Sequence, residues 1–136
     1  MFPPKPPKGA DPRMYFFLFL LTLGTTLGYQ GWTLLYTNFA VESAHLSAAD
    51  NGLVQSLREV PGLLGFLIIP LLLVMKEHRV AAVAALATGL GTALTGFFPS
   101  FVPVILTTLL MSFGFHFFEA VNQSLLLQYF DCLLYT

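Results

Sequence analysis

Four long apolar runs make up most of this chain, and short polar or proline-bearing stretches separate them. Residues 14–41 carry no charged side chain, and the segment 41–51, VESAHLSAADN, ends that run. A second run extends to residue 75 and is broken only by Arg58 and Glu59. Lys76, Glu77, His78 and Arg79 form a tight turn before a third run over 80–98. Pro99, Ser100 and Pro103 mark the next turn, because proline breaks helix interiors and is accepted in a first turn. The fourth run, 101–130, contains one charge, Glu119. A bilayer-spanning helix needs about 20 apolar residues. The pattern therefore predicts an all-α integral membrane protein with four transmembrane helices over about 14–40, 51–75, 80–98 and 101–130. Asp50 is the expected N-cap of the second helix.

The flanks read differently. Residues 1–13, MFPPKPPKGADPR, hold five prolines among three basic residues and are expected to form a disordered tail. The apolar run behind it is too long for the 7–15-residue core of a signal peptide, so it reads as a retained span. Lys5, Lys8 and Arg13 precede the first span, and Lys76 and Arg79 lie between the second and third. The connections on the other side hold Glu42 and Asp50 and no lysine or arginine. Basic residues mark cytoplasmic loops, so the expected localisation is a multi-pass cell-membrane protein with its N-terminus in the cytoplasm. Residues 131–136 form a C-terminal tail, whose expected cytoplasmic side is not matched by any basic residue.

Composition strengthens the membrane reading. The 136 residues are 56% hydrophobic and only 10% charged, and the mean hydropathy is +0.75. A soluble domain has about a quarter of its residues charged. The net charge of −1 and the absence of a basic run argue against a nucleic-acid partner. The single cysteine, Cys132, has no intrachain partner and no metal-ligand spacing around it.

Chemistry concentrates at the three charges inside the spans. A charge at bilayer depth costs roughly 2.5–3.5 kcal/mol on insertion-derived scales, so it is expected to face a partner or a wet cavity. Gln55, Arg58, Glu59 and Gly62 share a helix face. Arg58 and Glu59 fit an ion pair that locks helices, an interfacial pair, or a guanidinium that grips a carboxylate or phosphate. Ser112, His116, Glu119 and Gln123 make a polar stripe on the fourth span. Histidine and a desolvated carboxylate are the side chains best suited to carry a proton, so His116 and Glu119 are the candidate relay. A structural lock and a direct solute contact are the other readings of Glu119. Gln30 is a candidate cavity-lining hydrogen bonder, and Trp32 and Tyr36 read as an interfacial aromatic belt. Small residues at Gly24 and Gly28, at Gly62 and Gly65, and at Ala85, Gly89 and Ala93 are expected to let helices pack closely. No nucleophile–histidine pair, phosphate loop or redox motif is present, so no enzyme, cofactor or metal site is expected.

These residues resemble the opening of a major facilitator superfamily transporter, over about residues 14–130. The resemblance rests on the short basic turn between spans two and three, on the bare third span, VAAVAALATGLGTALTGFF, and on the GLVQSLREVPGLLGFLIIPLLL and GFHFFEAVNQSLLL stretches. The basic loop keeps Lys76 and Arg79 but has Met75 and His78 where the family motif has aspartate and glycine. The resemblance implies the first four helices of a six-helix half-bundle, with spans one and four lining a central cavity. It also implies solute transport by alternating access and further spans beyond those seen here. The expected function is proton-coupled secondary transport of a small solute, with Gln30, Arg58, Glu59 and Gln123 in the cavity and His116 and Glu119 coupling protons. The alternative is a self-contained four-span scaffold or accessory protein that forms homo-oligomers, its buried charges being structural.

Overall fold

A computed structural model describes residues 11–130. The expected tails over 1–10 and 131–136, with Lys5, Lys8 and Cys132, lie outside the described residues. The last three positions of the expected N-terminal tail begin a helix instead. Asp11 accepts from the backbone N–H of Arg13 at 2.9 Å and caps α1, Pro12–Glu42. Pro12 fits because a first-turn residue has no intrahelical partner for its missing N–H.

Helix α1 ends where the backbone reverses. The N–H of Leu46 bonds the Ala40 carbonyl at 2.8 Å, and His45 takes a left-handed φ of 50°. The next helix, α2, runs Ala48–Leu63, so its start lies earlier than expected and Asp50 is not its N-cap. Ser47 is the cap. Its Oγ accepts from the Asp50 N–H at 3.2 Å, and Asp50 Oδ2 accepts from the Ser47 N–H at 3.2 Å. This reciprocal pair satisfies two orphan donors of the helix start.

The second apolar run is not one straight helix. A 3-10 turn, Gly65–Leu67, separates α2 from α3, Ile68–Val74, and the two parts bend by 45°. Proline supplies the reason. Pro70 has no N–H for the carbonyl of Phe66 and its ring crowds that carbonyl, while Pro61 withdraws another bond one turn before the break. Helix α4 spans Glu77–Thr95 and α5 spans Phe101–Phe130.

Among the described residues every regular element is helical. One helix, Phe101–Tyr129, is by itself long and apolar enough to cross a membrane, and the bent pair Ala48–Leu63 with Gly65–Val74 meets the same measure if counted as one span.

The tightest contact joins α4 to α5. A side chain at Gly114 would place its Cβ 2.5 Å from the Thr88 nitrogen and 2.6 Å from the Ala84 oxygen. A side chain at Gly91 would run into the backbone of Met111. The hydroxyls at this seam are absorbed locally. Thr88 donates to the Ala84 carbonyl at 3.0 Å, while Thr95 lies 2.8 Å from the Gly91 carbonyl and 3.0 Å from the Thr107 hydroxyl. The expected small-residue faces are elsewhere: Gly24, Gly28, Gly65 and Gly89 have open space where a Cβ would go. Thus α4 packs on α5 through its Ala84, Thr88, Gly91 and Thr95 face; Ala85 is packed against the core beside it, while Gly89 and Ala93 are exposed.

Helix α1 joins α5 through the Thr22–Asn122 hydrogen bond, 3.3 Å, and the Tyr29–Phe115 stack, 3.9 Å between centroids. Helix α2 joins α5 one face further round, at Ser112 and His116. Around α5 the order is therefore α4, α1, then α2. Two apolar clusters close the ends of the bundle, one around Leu18, Ile68 and Phe118 and one around Trp32, Val54 and Met111.

Gly114→Leu should cost roughly 3 kcal/mol, the top of the overpacking range, because only backbone can yield. Gly89→Leu should leave stability nearly unchanged. Thermal unfolding of the two purified variants in detergent separates these outcomes, and equal losses would disprove the seam.

Candidate functional site

Arg58 is the eleventh residue of α2, roughly 15 Å along its axis at 1.5 Å per residue. Its side chain is 19% exposed and is paired with its neighbour Glu59. The guanidinium Nε and Nη2 both donate to Oε1 of Glu59, at 2.9 and 2.6 Å. Its Cζ lies over the Trp32 ring, 5.5 Å from the centroid. Trp32 in turn stacks on Tyr36 at 4.3 Å and 17°. The result is a ladder from Tyr36 through Trp32 and Arg58 to Glu59, crossing from α1 to α2.

The ion pair is made between sequence neighbours, and the cross-helix partner is an aromatic ring. A guanidinium over tryptophan gains about 0.5–1 kcal/mol when exposed and about 2 when desolvated. Trp32 and Tyr36 are 4% and 2% exposed, so they are not an outward aromatic belt. Sequence spacing gave little notice of this, since an aromatic near a helix end fits a belt equally well.

Beneath the ladder, Ser112 is buried and its Oγ donates to the Arg58 carbonyl. One turn on, the imidazole of His116 fills the space beside Gly62, where a Cβ would lie 3.1 Å from Cε1. The first half of the polar stripe on α5 is thus covered by α2. The second half is not. Glu119 and Gln123 are exposed, and Glu119 makes no hydrogen bond or ion pair among the described residues. His116 and Glu119 share a face without bonding each other.

Helix periodicity brings these groups to one side. On α1, Thr22 and Tyr29 meet α5, while Gly24, Gly28 and Gly31 border grooves against α4. Thr26, Gln30 and Thr33 are exposed on the flank away from those grooves. On α5, Glu119 lies between the faces that meet α1 and α2, and Gln123 lies on the side that meets α2, beyond the covered His116. On α2, Glu59 is 60% exposed beside the buried side of Arg58. Gln30, Glu59, Glu119 and Gln123 therefore border one open side of the bundle, between α1 and α2 and opposite α4.

The expected tight turn over 76–79 is shorter than its motif: Lys76 is the N-cap of α4, and Glu77 and Arg79 lie in its first turn. Lys76 and Arg79 are exposed, whereas Glu77 reaches α5. Gln128 Nε2 donates to Glu77 Oε2 at 2.7 Å, and Ser124 Oγ lies 3.3 Å from the same oxygen. The contact from this end of α4 to α5 is made by the acidic residue, and it was not anticipated from the basic motif. No group of three or more metal-ligating side chains occurs among the described residues.

A double-mutant cycle of Trp32→Leu and Arg58→Met should return a coupling of about 1 kcal/mol in detergent unfolding. Strict additivity would remove the ladder as an energetic unit. Comparisons with protein-family models, curated proteins and solved structures find no match to this chain.

Proposed function

We propose that the chain forms four transmembrane spans, made by α1, by α2 with α3, by α4 and by α5, and serves as the N-terminal part of a secondary transporter. It moves a small solute by alternating access, with the N-terminus in the cytoplasm. The observation that carries this reading is the open side holding Gln30, Glu59, Glu119 and Gln123. In a bilayer that side cannot face lipid without burying two carboxylates in hydrocarbon. It faces a wet cavity, closed by a further helical unit, as the resemblance to major facilitators implies.

The remaining surface supports the same arrangement. Large apolar side chains stand outward on every helix, among them Leu34, Leu63, Val74, Leu86 and Leu106. Exposed apolar area on this scale is foreign to a soluble monomer and ordinary against lipid. The basic residues Arg13, Lys76 and Arg79 lie at one end of the bundle, and Glu42 and Asp50 at the other, as a cytoplasmic N-terminus requires.

Glu119 is the proton-coupling residue in this reading, with His116 one turn before it. Neither makes a side-chain hydrogen bond or ion pair among the described residues, so no such bond competes with that role. Solute contacts come from Gln30, Glu59 and Gln123, while Arg58 orients Glu59.

A specific observation favours a second reading. The groove between α1 and α4, about 580 Å³ beside Gly24, Thr25 and Gly89, has no helix of this chain in it. That suits a self-contained four-span scaffold or accessory protein that oligomerises through the groove.

Two measurements test the proposal. With Cys132 replaced by serine, Gln30→Cys and Gln123→Cys in membranes should react with a water-soluble maleimide, whereas the outward Leu86→Cys should not. Unreactive thiols at both polar positions would rule out a wet cavity. In the full-length transporter, Glu119→Gln should abolish uptake driven by a pH gradient while leaving the protein folded. Uptake unchanged at every pH would sink the coupling role.

A further inference from the structure

We infer that the open side selects cationic solutes, namely protonated amines or other organic cations, and excludes carboxylates and phosphates. The inference rests on the open side being the solute face of a transporter, and concerns the sign of charge that face presents. An arginine in a membrane helix invites the opposite expectation. Its fork matches an anion, and Arg58 is the only permanent cation on α2, α3 and α5.

The geometry removes Arg58 from that role. Nε and Nη2 converge on one oxygen of Glu59, Cζ lies 5.5 Å from the Trp32 ring centroid, and the side chain is 19% exposed. An anionic solute would meet a guanidinium whose Nε–Nη2 edge already holds a carboxylate. Glu59 is placed the other way. Its side chain is 60% exposed, and Oε2 accepts no hydrogen bond among the described residues. Glu119 is exposed on the same side with neither oxygen engaged.

On α1, the only other permanent cation described is Arg13, in the first turn and remote from this face. Lys76 caps α4 and Arg79 lies in its first turn, at the start of the helix on the opposite side of the bundle. With Arg58 balanced by Glu59, Glu119 leaves the open side negative. A cleft of one sign between low-dielectric walls raises the local concentration of counter-ions by 10- to 1000-fold. The half-buried Tyr29–Phe115 stack, beside Gln30 and His116 in sequence, adds aromatic surface, which attracts cations and repels anions. Gln30 and Gln123 supply neutral acceptors for N–H groups.

The test uses the full-length transporter in proteoliposomes, with Cys132 replaced and a reporter thiol at Gln123→Cys. Labelling rates are compared for a trimethylammonium-bearing and a sulfonate-bearing methanethiosulfonate, each normalised to its rate with free cysteine. The cationic reagent should react faster by about tenfold. Glu119→Gln should shrink that preference, and Arg58→Met should enlarge it. If Arg58→Met does not fold, the Glu119→Gln arm still reads the sign. Millimolar 2-phenylethylammonium should protect the thiol, whereas 3-phenylpropanoate, of similar shape and opposite charge, should not.

Faster labelling by the sulfonate reagent, or protection by phenylpropanoate that Arg58→Met abolishes, overturns the inference and leaves the transporter reading intact. Protection by neither compound also overturns it. No labelling by either reagent means no water reaches the face, and the transporter reading fails with it.

Discussion

The rest of the bundle depends on backbone meeting backbone between α4 and α5. Gly91 sits against Met111, and Gly114 sits against Ala84 and Thr88, with no room for a methyl group at either point. In the proposed membrane bundle lipid would offer no hydrophobic drive for helices to associate, and close van der Waals packing of this kind would supply it. Thr88, Thr95 and Thr107 at this seam bond to carbonyls of their own helices, so their hydroxyls are satisfied without outside groups. A rigid α4–α5 hairpin then gives α5 three further faces. One accepts α1, one accepts α2, and the one between them is left open.

That division explains why the polar stripe on α5 has two fates. Ser112 and His116 lie where α2 is straight and close, so they are covered. Glu119 and Gln123 lie beyond the level at which α2 gives way to the 3-10 turn and bends. The prolines at 61 and 70 therefore act on α5 as well as on their own helix. By turning α3 toward the Leu18, Val80 and Phe118 cluster, they withdraw it from the face that holds Glu119. A straight second helix would continue along that face.

The positions of the helices were legible, and the choice of faces was not. The apolar runs, separated by the 41–51 segment, by Lys76 to Arg79 and by Pro99, bounded the helical stretches to within a few residues, but not the break of the second into α2 and α3. The offsets came from caps: Asp50 and Ser47 both suit an N-cap, and only the reciprocal bond between them assigns the roles. In α4, alanine and glycine are so frequent that several stripes of small residues are equivalent in sequence. The partner's shape, with Gly114 opposite Thr88, selects one. Trp32 and Tyr36 were misplaced for a similar reason, because burial beneath an arginine of another helix leaves no periodic trace. The polar residues of the open side were all visible as interruptions of apolar runs. Their grouping required the register that Thr22–Asn122 and Tyr29–Phe115 impose between α1 and α5.

Pairing Arg58 with its own neighbour has a consequence for how a largely buried cation is tolerated between helices. A partner on another helix would tie the charge to the relative position of the two helices, and any movement between them would expose an unpaired ion at a cost of several kcal/mol. Glu59 moves with Arg58 because both belong to one turn of α2. The contact that does cross helices is the softer one, a guanidinium over the Trp32 ring, whose attraction changes gradually with distance. Helix α2 can therefore shift against α1 without breaking an ion pair. For a bundle proposed to change its exposure during transport, the separation is useful: the strong interaction stays within a rigid element, and the weak one spans the boundary that has to move.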